Sequence, residues 1–254
     1  MKKTIRKITR PIKNNVIYGD SDYDPVEYLV FEDRQLVLLV ISKVACTSIK
    51  ATIGKSYGID YQSSSGLDIH HNKNWKRFFG KLPDKYGDFK TAAFVRNPFS
   101  RLVSCYIDRV LYNKDHEDFK KYYFANYPYM IPENCSFPEF VDIVSQIPDS
   151  KADRHFKSQF HTISKINRPL DFLGKFENLK VDWREFAEMF DFDVELERLN
   201  PGNREAKDVE KDFRKYFDEE CFLLTRDRYA ADIEDFSFSE KAEELLAFIQ
   251  NKND

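Results

Sequence analysis

The sequence feature that most restricts the fold is an unbroken apolar run, Leu36 to Ile41, followed at once by a short loop and then by helix-forming residues. Such a β-rich run is typical of a strand buried on both faces of a parallel sheet. Thr47 or Ser48 can cap a helix that extends to about Tyr57, and Gly58 can end it in the left-handed conformation that other residues resist. We therefore predict a strand-loop-helix unit.

A second unit of the same kind follows. Thr91 to Val95 has the pattern of a short buried strand, and Asn97-Pro98 supplies a helix cap followed by proline at the first helical position. A third core strand is predicted at Phe172 to Phe176, ahead of another helix. Since strand-like and helix-like segments alternate without a linker, we predict one α/β domain over 1–254, with a central, mainly parallel sheet flanked by helices.

Composition excludes several classes of partner and site. Forty Lys and Arg against 43 Asp and Glu leave a net charge of -3, so no global charge drives binding to nucleic acid or to an anionic membrane. Any anion site must therefore be local. Four cysteines without a C-x-x-C pair or histidines at metal spacing argue against a zinc site and a dense disulfide framework. No stretch approaches the roughly 18 apolar residues of a membrane span.

The two predicted corners place two helix N-termini along the carboxyl edge of one sheet, where free N–H groups favour an anion. The first corner offers Lys43, small side chains that let the backbone approach an oxyanion, and the hydroxyls of Thr47 and Ser48. The second has Arg96 at the end of its strand and Ser104 two helical turns later. A guanidinium and a hydroxyl in these places can hold one terminal phosphate from two sides.

Two segments at these corners resemble loops of one family. They are Lys43 to Thr47, in the order Lys-Val-Ala-Cys-Thr, and Val95 to Tyr106, which contains Arg-Asn-Pro-Phe-Ser-Arg-Leu-Val-Ser. The family is that of the carbohydrate sulfotransferases of HNK-1, chondroitin and heparan 2-O type (sulfotransferase family 2), whose donor is 3′-phosphoadenosine-5′-phosphosulfate (PAPS). The first segment is similar to its 5′-phosphosulfate loop, with Ser42 in place of a proline. The second is similar to its 3′-phosphate motif, with Asn97 in place of an aspartate.

Three downstream segments resemble the same family in the expected order: Asp153-Arg154-His155-Phe156, Asp171 to Leu179, and Tyr229-x-x-Asp232-x-x-x-Phe236. The resemblance covers about 36–238. It implies a P-loop-like sulfotransferase fold and transfer of the sulfuryl group from PAPS to a carbohydrate hydroxyl. Adenosine 3′,5′-bisphosphate (PAP) would be the product, and no metal ion is expected.

The resemblance also implies a role for each matched residue. Lys43 meets the oxygen that bridges sulfur and the 5′-phosphate, since charge builds there as the S–O bond breaks. Arg96 and Ser104 hold the 3′-phosphate, and Arg204 is a further candidate phosphate contact. The 5′-phosphate is held by the loop residues Val44, Ala45, Cys46, Thr47 and Ser48.

Transfer also requires a base for the acceptor hydroxyl, and histidine is the first candidate residue type. His70-His71 resembles a histidine pair of the 2-O-sulfotransferases that includes the base, and we favour His71 over His70 from its spacing to the next segment. His155 is the rival, because its Asp-x-His-Phe context matches the chondroitin-type relatives better. The alternative for His155 is a structural histidine that hydrogen-bonds Asp153. Glu177 is interpreted either as a group that orients a histidine or Lys175, or as an ordinary carboxylate at a helix start.

The acceptor is expected to be a glycan or polysaccharide. The basic residues Lys73, Lys76, Arg77, Lys81 and Lys85 are suited to an acidic glycan or to a solvated surface, and the aromatic stretch 112–132 to sugar stacking or to core packing. Oligomeric state is left open. The family's animal members sit behind a Golgi membrane anchor, whereas no apolar stretch of this sequence is long enough for one. We therefore expect this chain to be cytoplasmic and microbial. Residues 1–20 are expected to be flexible.

Two other functions stay open. A nucleotide-dependent phosphotransferase would also use the first corner, although Gly54-Lys55-Ser56 is interpreted as a decoy for a Walker A loop, because Ile49 stands where the first glycine should be. A non-catalytic nucleotide-binding relative would have lost Lys43 or every candidate base, and this chain keeps both.

Overall fold

The structure is a computed structural model that describes residues 22–59, 69–70, 72–112, 131–132, 135–197 and 212–253. In these residues one sheet has the strand order β3-β1-β2-β4-β5. The strands are β1 (Glu27–Phe31), β2 (Leu36–Val40), β3 (Arg77–Phe79), β4 (Lys90–Val95) and β5 (Phe172–Lys175). The expectation about residues 1–20 falls outside the described residues.

The sheet is mixed. β2, β4 and β5 run parallel, whereas β1 pairs antiparallel with both β2 and β3. The parallel strands are the ones that the sequence predicted, and each lies within one residue of its expected bounds. The antiparallel pair β1 and β3 extends one side of the sheet. Both predicted corners therefore lie side by side, at the carboxyl ends of the neighbouring strands β2 and β4.

Helices cover the sheet and extend beyond it. They are α1 (Cys46–Ser56), α2 (Pro98–Tyr106), a π-helical turn (Ile107–Tyr112), α3 (Phe137–Ser145), α4 (Gln159–Ser164), α5 (Leu179–Met189), α6 (Glu219–Arg228), α7 (Ala230–Asp235) and α8 (Ser239–Asn253). α1 ends as predicted, because Gly58 takes a left-handed φ of 65° just after the helix.

The buried side chains of the described residues form two hydrophobic cores. The first packs the sheet against α1 and α5 and includes Leu38, Phe94 and Phe186. The second is helical and includes Phe99 and Phe222, whose rings stack with centroids 5.3 Å apart. Because Phe94 lies in β4 and Phe99 in α2, the second corner is the junction between the two cores.

Gly174 explains part of the Asp171 to Leu179 segment. It lies opposite Phe94 in the parallel pairing of β4 with β5. A Cβ at this position would collide with the Phe94 ring, so glycine is required for the close packing of the two strands. This glycine therefore serves the fold that supports the second corner.

The four cysteines are free thiols, and three of them are buried. Burial raises the pKa of Cys105 and of Cys221 to about 12, which suppresses thiolate chemistry there. In the described part of the chain, no helix has the length and apolar character needed to cross a bilayer.

Candidate active site

The loop of the first corner has an unusual backbone. Lys43 and Ala45 both take positive φ values, 69° and 64°, which costs non-glycine residues about 1–3 kcal/mol each and is commonest at functional sites. α1 begins at Cys46, so the predicted cap by Thr47 or Ser48 is wrong. Its N-cap residue is Ala45, whose methyl group accepts no hydrogen bond. The first N–H groups of α1 are therefore left to a ligand or to water, as an anion site requires.

Lys43 projects from this loop toward the π-helical turn. Its Nζ lies 2.7 Å from Oδ2 of Asp108, and its side chain is 16% exposed. The same carboxylate oxygen lies 3.2 Å from Nε of Arg109. Partial burial acts to raise the pKa of Asp108, but the charges of Lys43 and Arg109 outweigh it and lower the pKa to about 2. Asp108 is therefore an anion at every working pH.

Arg96 joins the two corners. Its NH1 donates to the carbonyl of Lys43 at 3.2 Å, and its Nε donates to Oγ of Ser100 at 2.9 Å. The backbone N–H and carbonyl of Arg96 both bond the side-chain amide of Gln159, each at 2.8 Å. The guanidinium also lies 4.1 Å from the centre of the Phe176 ring. The sequence predicted that the two corners act together, and the hydrogen bond from Arg96 to Lys43 joins them directly.

The start of α2 confirms the predicted cap. Oδ1 of Asn97 accepts a hydrogen bond from the backbone of Phe99 at 3.0 Å, and Pro98 is the first helical residue. Glu177 accepts from the backbone N–H of Asn97 at 2.8 Å. This contact supports the reading of Glu177 as a carboxylate at a helix start, since it fixes the turn.

Arg101 is a buried residue of the site to which the sequence assigned no role. Its Nε donates to the carbonyl of Ser42 at 3.0 Å, and its two terminal nitrogens donate to the carbonyls of Lys157 at 2.8 Å and Arg154 at 3.0 Å. One side chain of α2 thus holds the first corner and the segment around His155 in place. Its position inside the Arg-Leu-Val-Ser match was the available signal.

The remaining predicted binding residues are placed as follows. Ser48 and Val44 are buried, whereas Thr47, Cys46 and Ser104 are half-buried. Arg204 and His71 lie outside the described residues, as does most of the aromatic stretch 112–132. The structure therefore brings the first-corner loop and Arg96 together, and it places Ser104 in α2.

His70 lies at the first corner. Its Nε2 is 2.9 Å from Oγ1 of Thr47, and its carbonyl accepts from NH1 of Arg77 at 2.5 Å. Because Thr47 sits in the first turn of α1, His70 is next to the open helix N-terminus. The hydroxyl that was expected to cap the helix is directed to this imidazole instead.

His155 is connected to Lys43 through Arg109 and Asp108. Its Nδ1 is 2.6 Å from Oδ1 of Asp153, and its Nε2 contacts NH2 of Arg109. Burial and the charge of Arg109 lower the pKa of His155. Burial acts to raise the pKa of Asp153, but His155 outweighs it and the pKa is lowered. The Asp153 contact is the one that the structural alternative for His155 predicted, and it also orients the imidazole as a general base requires, while Arg109 occupies Nε2.

The Tyr229-x-x-Asp232 segment contacts the chain that directly follows this histidine. The Tyr229 hydroxyl donates to the carbonyl of Phe156 at 2.7 Å, and the Asp232 carboxylate accepts from the backbone N–H groups of Gln159 at 3.0 Å and Phe160 at 2.8 Å. Burial raises the pKa of Asp232. This C-terminal motif therefore anchors the chain that carries His155 and Gln159.

The lysines near His70 form pairs with acidic residues of the same chain. Lys76 lies 2.6 Å and Lys85 3.6 Å from the Glu32 carboxylate, and Lys81 lies 3.9 Å from that of Asp84. These contacts favour the solvated-surface interpretation. Gly54-Lys55-Ser56 lies inside α1, and Lys55 pairs with Glu197 at 2.8 Å, so its interpretation as a decoy is confirmed.

Comparison with known proteins agrees with this geometry. Residues 26–239 match the model of the Sulfotransferase family. The human protein "Carbohydrate sulfotransferase 9" is 26% identical over 206 residues, which cover 73% of this chain and 46% of that protein. "Carbohydrate sulfotransferase 11" from Rattus norvegicus is 25% identical over 177 residues, covering 61% of this chain and 50% of that protein. The chain thus spans about half the length of these relatives. No solved structure gives a significant match.

Proposed function

The chain belongs to the sulfotransferase family, and from that premise we propose that it transfers the sulfuryl group of PAPS to a hydroxyl group of a carbohydrate. The similarity to carbohydrate sulfotransferases 9 and 11 supports a carbohydrate as acceptor. The donor and the acceptor of this chain are both part of the proposal.

The observation that carries the proposal is the contact between the two corners. NH1 of Arg96 donates to the carbonyl of Lys43 at 3.2 Å, so a loop suited to one anion and a guanidinium suited to another belong to one site. PAPS carries two anionic ends, the 5′-phosphosulfate and the 3′-phosphate. A nucleotide with a single phosphate chain would need only the first corner.

The proposed roles follow from position and charge. The first-corner N–H groups, with Thr47 and Ser48, hold the 5′-phosphate, while Arg96 and Ser104 hold the 3′-phosphate. A bond forms between the acceptor oxygen and sulfur as the bond from sulfur to the 5′-phosphate oxygen breaks. Lys43 stabilises the negative charge that develops on that leaving oxygen. The departing group is PAP, and the hydroxyl proton passes to a base.

The base is proposed to be a histidine. His71, which the sequence favours, lies outside the described residues, and His70 adjoins Thr47. Within the described chain, Asp153 orients His155 and the lowered pKa favours its neutral form, so His155 is a candidate base once Arg109 releases Nε2. Under this assignment activity is lost as the pH falls through a pKa below the usual histidine range. The variants His70→Ala, His71→Ala and His155→Ala, each assayed for transfer and for PAP binding, identify the base as the one that loses only transfer.

Incubation of the protein with PAPS and a panel of neutral and acidic saccharides tests the function itself. The expected result is release of PAP together with a sulfated saccharide detected by mass spectrometry. No turnover across a broad panel, with no binding of PAP, would contradict the proposal. Stabilisation against heat by ATP with Mg²⁺ but not by PAP would favour a phosphotransferase instead.

A further inference from the structure

The π-helical turn after α2 adjoins the proposed donor site. α2 ends at Tyr106, and residues 107–112 continue as a π helix. Such turns are rare and occur frequently at functional sites. Two consecutive residues of this turn, Asp108 and Arg109, contact Lys43 on one side and His155 on the other.

Asp108 fixes the position of a flexible side chain. A lysine has a four-carbon stem, and holding its ammonium group in one place costs rotamer entropy. Because Asp108 contacts Nζ of Lys43 at 2.7 Å in the folded protein, the entropy cost of ordering this side chain is met during folding and not when the donor binds. An ammonium group has three donors, so one contact to a carboxylate leaves further N–H groups for a ligand.

Arg109 extends the contact to His155. Its Nε lies 3.2 Å from Oδ2 of Asp108, and its NH2 contacts Nε2 of His155. A guanidinium stays protonated and only donates, so Nε2 of His155 is the acceptor in this contact. The proton of the neutral imidazole is then on Nδ1, which faces Asp153.

Stability alone is a weak reason for this arrangement. The Asp108 side chain is 42% exposed, and exposed ion pairs contribute little to the free energy of unfolding. A carboxylate beside a site for an anionic donor also opposes binding of that donor. The arrangement therefore has an electrostatic cost that a purely structural role does not explain.

We propose that Asp108 is a positioning residue for sulfuryl transfer, which holds the ammonium group of Lys43 directly and the imidazole of His155 through Arg109. This inference rests on the proposed function. If Asp108 has this role, its loss should have two opposite effects. Transfer should become slower, and the donor should bind more tightly.

The test compares Asp108→Asn with the wild-type protein. Asparagine keeps a hydrogen-bond acceptor of similar shape but removes the charge. We expect kcat to fall about tenfold, while the Kd for PAP, measured by calorimetry, falls about threefold, because one repulsive charge is gone. Asp108→Glu keeps the charge and should recover part of the rate.

The ionisation of His155 provides a readout that needs no turnover. Loss of the Asp108 anion destabilises the nearby imidazolium, so the pKa of His155 should fall further in Asp108→Asn. Histidine NMR titration of the ligand-free protein measures this shift directly. A matched control is Asp84→Asn, which removes a highly exposed carboxylate 3.9 Å from Lys81 and should leave kcat, the PAP Kd and the His155 titration unchanged.

Two outcomes would overturn the inference. An unchanged kcat in Asp108→Asn excludes a positioning role, and weaker PAP binding with a lowered Tm indicates a structural one. Failure of the proposed function is distinguishable, since the wild-type protein itself would then neither bind PAP nor release it from PAPS.

Discussion

The two strand-loop-helix corners share one topology but differ in how completely their polar groups are satisfied. At the first corner, two non-glycine residues are held at positive φ, and the helix starts at a residue without a capping side chain. At the second, Asn97 caps the helix and Arg96 is 4% exposed, with partners on both its backbone and its guanidinium. The first corner is open and strained, and the second is closed and saturated.

This difference indicates a division of labour. Open N–H groups and a lysine at the first corner are available for a reacting group, whereas the second corner is a rigid support that also carries Arg96, the proposed contact of the 3′-phosphate. The support reaches the first corner through its own side chains, since Arg96 donates to the carbonyl of Lys43 and Arg101 to that of Ser42. A strained loop persists only where its surroundings hold it, and here the neighbouring corner does so.

The largest effect is expected from Lys43→Ala, which removes the charge of the open corner. The transfer rate should fall by roughly a hundredfold or more, because the interaction strengthens as the leaving oxygen becomes negative, while PAP affinity changes less. Steady-state kinetics and calorimetry measure the two effects. Lys55→Ala is the matched control, since Lys55 lies near the end of α1, the helix that follows Lys43, in an exposed pair with Glu197. Equal losses of rate and affinity would mean that Lys43 only binds the donor.

The sequence predicted the parallel half of the sheet because its signals are local. Buried apolar runs mark β2 and β4, the shorter apolar segment that begins at Phe172 marks β5, and Gly58 marks the end of α1. β3 has only three residues, too few for a recognisable alternation, so the antiparallel side of the sheet was not predicted.

The site was predicted in part for the same reason. Lys43 and Arg96 lie in contiguous motifs, and their contact follows from the adjacency of β2 and β4. The supposed cap by Thr47 or Ser48 failed because Ala45 takes the left-handed conformation, which no residue pattern indicated. Asp108 and Arg101 act through contacts with residues about 53–65 positions away in sequence, and such contacts leave no local signal.

A smaller effect is expected from Asn97→Ala at the closed corner. Loss of the cap should lower the free energy of unfolding by about 1 kcal/mol, because the backbone N–H of Phe99 loses its acceptor. Chemical denaturation measures this value. Asn97→Asp is the control and should stay close to the wild type, since aspartate caps equally well. A loss of transfer rate without a loss of stability would show that Asn97 acts in catalysis rather than in support.

The smallest effect is expected from Ala45→Gly at the open corner. Glycine adopts the φ of 64° without strain, which stabilises the folded state, but it also gains freedom in the unfolded chain. The two effects oppose each other, so the free energy of unfolding should rise by no more than about 1 kcal/mol. A more mobile loop should lower kcat modestly. A marked loss of stability would contradict the strain that we assign to Ala45.

The central claim is that the two corners form one site for a donor with two anionic ends. Calorimetric titration of PAP and of adenosine 5′-monophosphate, which lacks the 3′-phosphate, into the wild-type protein and Arg96→Ala tests it most directly. We predict that the wild-type protein binds PAP at least about tenfold more tightly than the monophosphate, because a charge-assisted contact contributes about 1.5–3 kcal/mol. We also predict that Arg96→Ala loses this preference, while its affinity for the monophosphate falls by a smaller factor than its affinity for PAP, because the variant also loses the hydrogen bond to the Lys43 carbonyl. Equal affinity of the wild-type protein for the two nucleotides would contradict the claim.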